Sequence, residues 1–161
     1  MQGVPSAPSP KEPAAAAPQP TEDRLVAYVD GSYDARTGRY ACGVVMLTVA
    51  GRKTFSEAYT DPDNAKLHNV AGELAGAYRA MAYALDQGVS ELVIVHDYTG
   101  IAEWARGSWK ANLPLTQDYQ QYAQHVQGKL KLRFIKVKGH SGDTYNDYAD
   151  RLAKEALAIK G

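Results

Sequence analysis

Four acidic residues stand at the margins of apolar stretches, where a charge is costly unless something uses it. Asp30 closes LVAYVD, and Asp97 closes ELVIVHD. Glu73 lies one turn into NVAGELAGAYRAMAYALDQG, beside Val70 and Leu74, and Asp150 lies beside Ala149 and Ala153 in NDYADRLAKEALAI. Each has an ordinary explanation when taken alone. Asp30 with Gly31 is a common turn pair, Glu73 reads as a solvated helix acid, and Asp150 can pair with Lys154 at i+4. Taken together they allow something else. Carboxylates brought to one point raise one another's pKa unless a cation compensates. An all-oxygen set suits a hard divalent ion, magnesium or manganese. Two such ions about 4 Å apart can clamp the attacking and leaving oxygens of a displacement at phosphorus.

Whether the four acids meet depends on the elements that carry them. LVAYVD (25–30), YACGVVMLTV (40–49) and RKTFSEAYT (52–60) are apolar, β-branched or alternating, and Ala50-Gly51 offers a tight turn between the last two. They read as three strands of an antiparallel meander. The period then changes. Val70, Leu74, Ala77, Tyr78, Met81 and Leu85 recur at three and four, the pattern of an amphipathic helix, with Asn69 placed to cap it and Gly88 to stop it. ELVIVHD (91–97) is a fourth, buried strand. TGIAEWAR and TQDYQQYAQHVQ follow as helices, residues 129–139 form a fifth strand, and NDYADRLAKEALAI closes the chain as a helix with Ala149, Leu152, Ala153, Ala156 and Leu157 on one stripe. The order βββ-α-β-α-α-β-α predicts an α/β domain with a mixed sheet and helices on both faces. If the fourth strand joins beside the first through a helical crossover, Asp30 and Asp97 lie side by side at the carboxyl ends of parallel strands, where sites form in such sheets.

The bulk numbers fit one such domain. The chain has 161 residues and a formal charge of zero, from 18 Lys plus Arg against 18 Asp plus Glu, so no global basic signature marks it as a passive nucleic-acid binder. Its single cysteine, Cys42, sits in an apolar run and reads as a small core residue, compatible with a reducing cytoplasm. No apolar run approaches a membrane span of about 20 residues. Residues 1–24 hold six of the eight prolines, among alanine, serine and glutamine, and read as a disordered linker or tail ahead of a catalytic domain over 25–161.

YVDGSYD, NVAGEL, VHDYTGI and VKGHSGDTYNDYADRLAKEA, in that order from about residue 25 to the end, together resemble type 1 ribonuclease H. The last is the most specific of them. The resemblance implies the ribonuclease H-like fold, with strand order 3-2-1-4-5, and hydrolysis of the RNA strand of RNA–DNA hybrids to 5′-phosphate and 3′-hydroxyl ends. It implies two Mg²⁺ ions, with Mn²⁺ as a substitute. Asp30 would bridge both ions, Glu73 and Asp97 would hold the ion beside the leaving oxygen, and Asp150 the ion that activates water. His140, in a loop flanked by Gly139 and Gly142, matches a mobile histidine that assists proton transfer or product release. Gly31, Ser32, Asn69 and Asn146 match positions that meet the substrate, chiefly the RNA strand and its 2′-hydroxyls.

WARGSWKAN (104–112) stands where some members carry a basic, aromatic handle. Trp104 reads as core, and Trp109 with Lys110 would meet the DNA strand by stacking and phosphate contact. Lys136 and Lys138 alternate on the fifth strand, either as phosphate contacts or as a solvated face. His96 is a departure, standing where serine or tyrosine is expected, and either touches the site or faces solvent. A monomer is expected, with no obligatory protein partner. A module of the same fold that binds hybrid or RNA without cutting it is the alternative function.

Overall fold

The computed structural model describes residues 17–138 and 144–158. In chain order they form β1 (Arg24–Asp34), β2 (Arg39–Thr48), β3 (Gly51–Tyr59), a 3-10 helix (Asn64–Leu67), α1 (Asn69–Gln87), β4 (Glu91–His96), α2 (Gly100–Arg106), α3 (Pro114–Gln127), β5 (Lys131–Lys136) and α4 (Thr144–Ala158). The five strands make one sheet in the order β3-β2-β1-β4-β5. β1, β2 and β3 pair antiparallel, while β4 runs parallel to both β1 and β5. The sequence pattern anticipates this order, apart from the short 3-10 helix.

The sheet is covered on both faces, which is why its central strands read as nearly unbroken apolar runs rather than as alternations. Residues 25–29 of β1 are all buried, and they divide between two cores. Ala27 and Val29, with Cys42, Val44 and Met46 of β2, pack under α1 and against α2 and α3 through Leu74, Met81, Ile101 and Tyr119. Val26, Tyr28 and Val45 face the other way, onto Ala149 and Leu152 of α4.

Several local expectations change. Asp30 does not end a strand: β1 continues to Asp34, still paired to β2, whereas its pairing with β4 stops at Tyr28 and Val95. Asp30 therefore sits where β4 peels away from β1, at the reversal of strand order where a crevice opens. The turn between β2 and β3 is Val49-Ala50, since Thr48 already pairs with Gly51. The cap position of α1 is His68, not Asn69, which is its first helical residue. Gly88 does stop α1, in the left-handed region at φ 71°.

The domain also begins earlier than residue 25. Arg24 is already in β1, Ala17 packs against the core beneath α4, and the Arg24 guanidinium donates to the Gln19 carbonyl. Asp23 accepts backbone hydrogen bonds from Ser90 and Glu91, which ties the approach to β1 to the approach to β4. Residues 17–24 are thus part of the folded unit rather than of a linker.

Candidate active site

Continuing the β1–β4 register two residues past Tyr28 and Val95 brings Asp30 level with Asp97. This is the side-by-side placement that a helical crossover predicts. Both side chains are half-buried. α1 crosses above them, and its close approach is set by glycine. A Cβ on Gly31 would lie 2.1 Å from the Asn69 carbonyl oxygen and 2.3 Å from the Glu73 nitrogen. Gly31 is thus required because the first turn of α1 rests directly on it.

That seam fixes Glu73. The residue is 2% exposed, so it is not the solvated helix acid its surroundings in sequence allow. Its Oε2 accepts the backbone N–H groups of Asp97 at 2.9 Å and Tyr98 at 3.1 Å. Burial pushes its carboxyl up to about 8. The two N–H donors act against that, and the charges of Asp30 and Asp97 add to it. Asp30 is likewise pushed up to about 7, first by burial and then by Asp150 and Asp97, while the Gly31 N–H at 2.9 Å draws it back.

Asp150 arrives from the opposite face of the sheet on α4, close enough for its charge to push the Asp30 carboxyl up. The pairing with Lys154 also exists, at 3.0 Å, so one carboxylate meets both a cation and another acid. Asn146, one turn earlier on α4, is buried at 4% exposure.

The acids converge pairwise: Asp30 with Asp150 and Asp97, and Glu73 with Asp30 and Asp97. Among the described residues no three acids, histidines or cysteines are already gathered as a ligand cluster. The donor chemistry nonetheless fits a hard divalent cation. All four donors are carboxylates, and two of them are held above their ordinary range by burial and one another's charge, a penalty a cation removes.

Asn69 is exposed on the first turn of α1, and Ser32 follows Gly31 along β1. Trp109 is 38% exposed and Lys110 is exposed beside it. Trp104 is half-buried against the core, as expected, but it is also part of a cluster of rings. Trp104 and Trp109 meet edge to face at 5.5 Å, and Tyr98 lies 5.9 Å from one and 6.1 Å from the other. Tyr98 follows Asp97 directly, and nothing in its spacing singles it out in the sequence. Lys136 and Lys138 are both exposed. His140 lies outside the described residues.

His96 is neither in contact with solvent nor on a polar face. It is 1% exposed, its Nδ1 lies 2.9 Å from the Tyr98 carbonyl oxygen, and its ring meets Phe134 edge to face at 5.9 Å. Burial holds its pKa down to about 4, so it is neutral near pH 7.

The profile of the RNase H family matches residues 22–158. Ribonuclease H of Cereibacter sphaeroides is 30% identical over 146 residues, covering 83% of this chain and 95% of that protein. Ribonuclease H of Paracoccus denitrificans is 29% identical over 146 residues, covering 83% and 92%. Among solved structures, the N-terminal RNase H domain of a Mycobacterium tuberculosis protein superposes with a TM-score of 0.68 at 22% identity, over 83% of this chain and 98% of that one. LC11-RNase H1, solved in complex with an RNA/DNA hybrid, superposes at 0.62 with 16% identity, over 83% and 99%. The sheet order and the acids at the β1–β4 crevice define a nuclease-like α/β domain. The chain belongs to the ribonuclease H family and is a ribonuclease H enzyme.

Proposed function

We propose that this enzyme is an endonuclease that hydrolyses the RNA strand of RNA–DNA hybrids, leaving 5′-phosphate and 3′-hydroxyl ends. The observation that carries the reading is the convergence of Asp30, Glu73, Asp97 and Asp150 at the point where β4 leaves β1, with Asp30 and Glu73 pushed up by burial and by their neighbours' charges. In this reading the four acids would hold two Mg²⁺ ions, with Mn²⁺ as a substitute: Asp30 would serve both, Glu73 and Asp97 the one that offsets charge on the leaving oxygen, and Asp150 the one that activates water. Bound there, the ions would make water nucleophilic near neutral pH and offset charge on the oxygens of the phosphodiester.

The chain's own residues orient the substrate. Asn69, exposed at the start of α1, and Ser32 would meet 2′-hydroxyls, the feature by which RNA is told from DNA. Asn146, the Gly31 backbone and His140 belong to the same reading, by their match to the family's motif. Trp109 and Lys110 are exposed, and a stacking face with a cation beside it suits the uncut strand. A monomer in the cytoplasm completes the proposal. Among the described residues no helix is long and apolar enough to cross a membrane.

The test is cleavage of a labelled hybrid, a DNA duplex and an RNA duplex in Mg²⁺, with Asp30→Asn as control. Hybrid-selective cutting lost in the variant is expected. Equal cutting of DNA duplex, or an undiminished variant, sinks the reading. The alternative is a non-catalytic hybrid-binding module of the same fold; loss of one of the four acids would favour it, and all four are present. Binding without cleavage in excess Mg²⁺ or Mn²⁺ would establish that instead.

A further inference from the structure

We infer that His96 is a positioning residue, whose side chain folds the turn after β4 so that the backbone presents two N–H groups to Glu73. The inference rests on the reading of Glu73 and Asp97 as metal-holding acids.

Four hydrogen bonds converge on three consecutive residues. The His96 carbonyl accepts the Val137 N–H at 2.7 Å, which ties the end of β4 to β5. The chain then leaves the sheet, and the His96 ring reaches forward to the Tyr98 carbonyl at 2.9 Å. Between those anchors, the N–H groups of Asp97 and Tyr98 both point to Glu73 Oε2, at 2.9 and 3.1 Å. A carbonyl oxygen only accepts, so His96 must carry its proton on Nδ1.

The other ring nitrogen shows what this placement costs. Nε2 is buried and, among the described residues, has no hydrogen-bond partner. A buried polar atom left unsatisfied is expensive. An apolar side chain of similar size would avoid that cost beside Phe134, whose ring already meets the imidazole. The Nδ1 bond is what such a side chain lacks. It sets the direction of two donors that hold Glu73, and the position of Asp97 between them. A group that orients a ligand without touching the metal typically changes metal affinity or activity by about 10–100-fold when removed.

Side-chain ¹⁵N NMR of the wild-type protein tests the geometry directly. A His96 ring protonated on Nδ1 is expected, and protonation on Nε2 overturns the inference. His96→Leu keeps the apolar volume, His96→Asn restores a donor at the Nδ1 position, and His96→Gln places one at the Nε2 position instead. Calorimetric Mg²⁺ affinity and kcat on a hybrid should each fall about tenfold in His96→Leu and His96→Gln, with KM for the hybrid unchanged. His96→Asn should recover most of both. Folded His96→Leu or His96→Gln at wild-type values, or His96→Asn no better than they are, overturns the inference while leaving the hydrolase reading intact. A wild-type protein that neither binds Mg²⁺ nor cuts hybrid overturns both. Should His96→Leu fail to fold, the contrast of Asn with Gln and the ring tautomer still decide.

Discussion

The two halves of the acidic centre are built differently. On the α1 side, Glu73 is buried and held by two backbone N–H groups from the turn after β4. On the α4 side, Asp30 faces Asp150, and Asp150 leans on the exposed Lys154. The first half is fixed by hydrogen bonds that belong to the fold. The second sets acid against acid, relieved by one flexible cation. A ligand that must be in place beforehand is served by the first arrangement, and a ligand set that closes around a cation by the second. The contrast separates what catalysis requires from what folding requires.

Substitution on the α4-facing side should show the largest functional effect and the least structural damage. Asp30→Asn is expected to lower kcat on a hybrid by about a thousandfold. It also removes a carboxylate that burial and Asp150 disfavour, so its melting temperature near pH 8 should equal or exceed that of the wild type. A variant that unfolds would remove the distinction between the halves.

On the other side the two effects should coincide. Glu73→Ala leaves the Asp97 and Tyr98 N–H groups without their acceptor, at about 1–3 kcal/mol for a buried donor. Activity and thermal stability should fall together, and a Glu73→Ala protein as stable as the wild type would refute the account of that half.

Cation binding should stabilise the wild type by about 2.7 kcal/mol at a hundred times Kd. Thermal melts with Mg²⁺ and with chelator would show the shift, and Asp30→Asn should lose most of it.

The pH dependence without metal is smaller and has a definite sign. Glu73 and Asp30 have folded pKa values of about 8 and about 7, above the ordinary carboxylate range. The folded state therefore holds protons that the unfolded state has lost, and stability declines as pH rises towards those values. His96, near 4 when folded, acts oppositely below its ordinary value of 6.5, where the unfolded imidazole takes up a proton first. Between pH 6.5 and 8 the acids alone act, so the apo protein should become less stable as pH rises. A flat or rising melting curve in that window contradicts the burial of Glu73 and Asp30. Lys154→Ala should change least, within about 1 kcal/mol, because the Lys154 ammonium is exposed to solvent.

The acids were legible because each interrupts an apolar pattern whose period is local. The pattern also gave the antiparallel meander and a fourth strand beside the first, while the full sheet order was what the ribonuclease H resemblance implied. Gly31 was legible as a special position but for an incomplete reason: the atoms it makes room for belong to Asn69 and Glu73 on another element. His68 as the cap, with φ at 56°, and the half-buried packing of Ala17, Pro18 and Pro20 left no mark in their own sequence. Proline and alanine there suggest only the lack of a core.

What the sequence determined by itself is the set of acids at the margins of apolar runs and the elements that carry them, because periodicity and apolar runs are properties of neighbours along the chain. What only the tertiary structure decided is how each donor is held. Glu73 is anchored by amides 24 and 25 residues away, and Asp30 is opposed by a carboxylate from the far face of the sheet. His96, flanked in sequence by Val95 and Asp97, is buried because β5 and Phe134 close over it. Burial and charge proximity depend on distances through space, and those are set only when the elements pack.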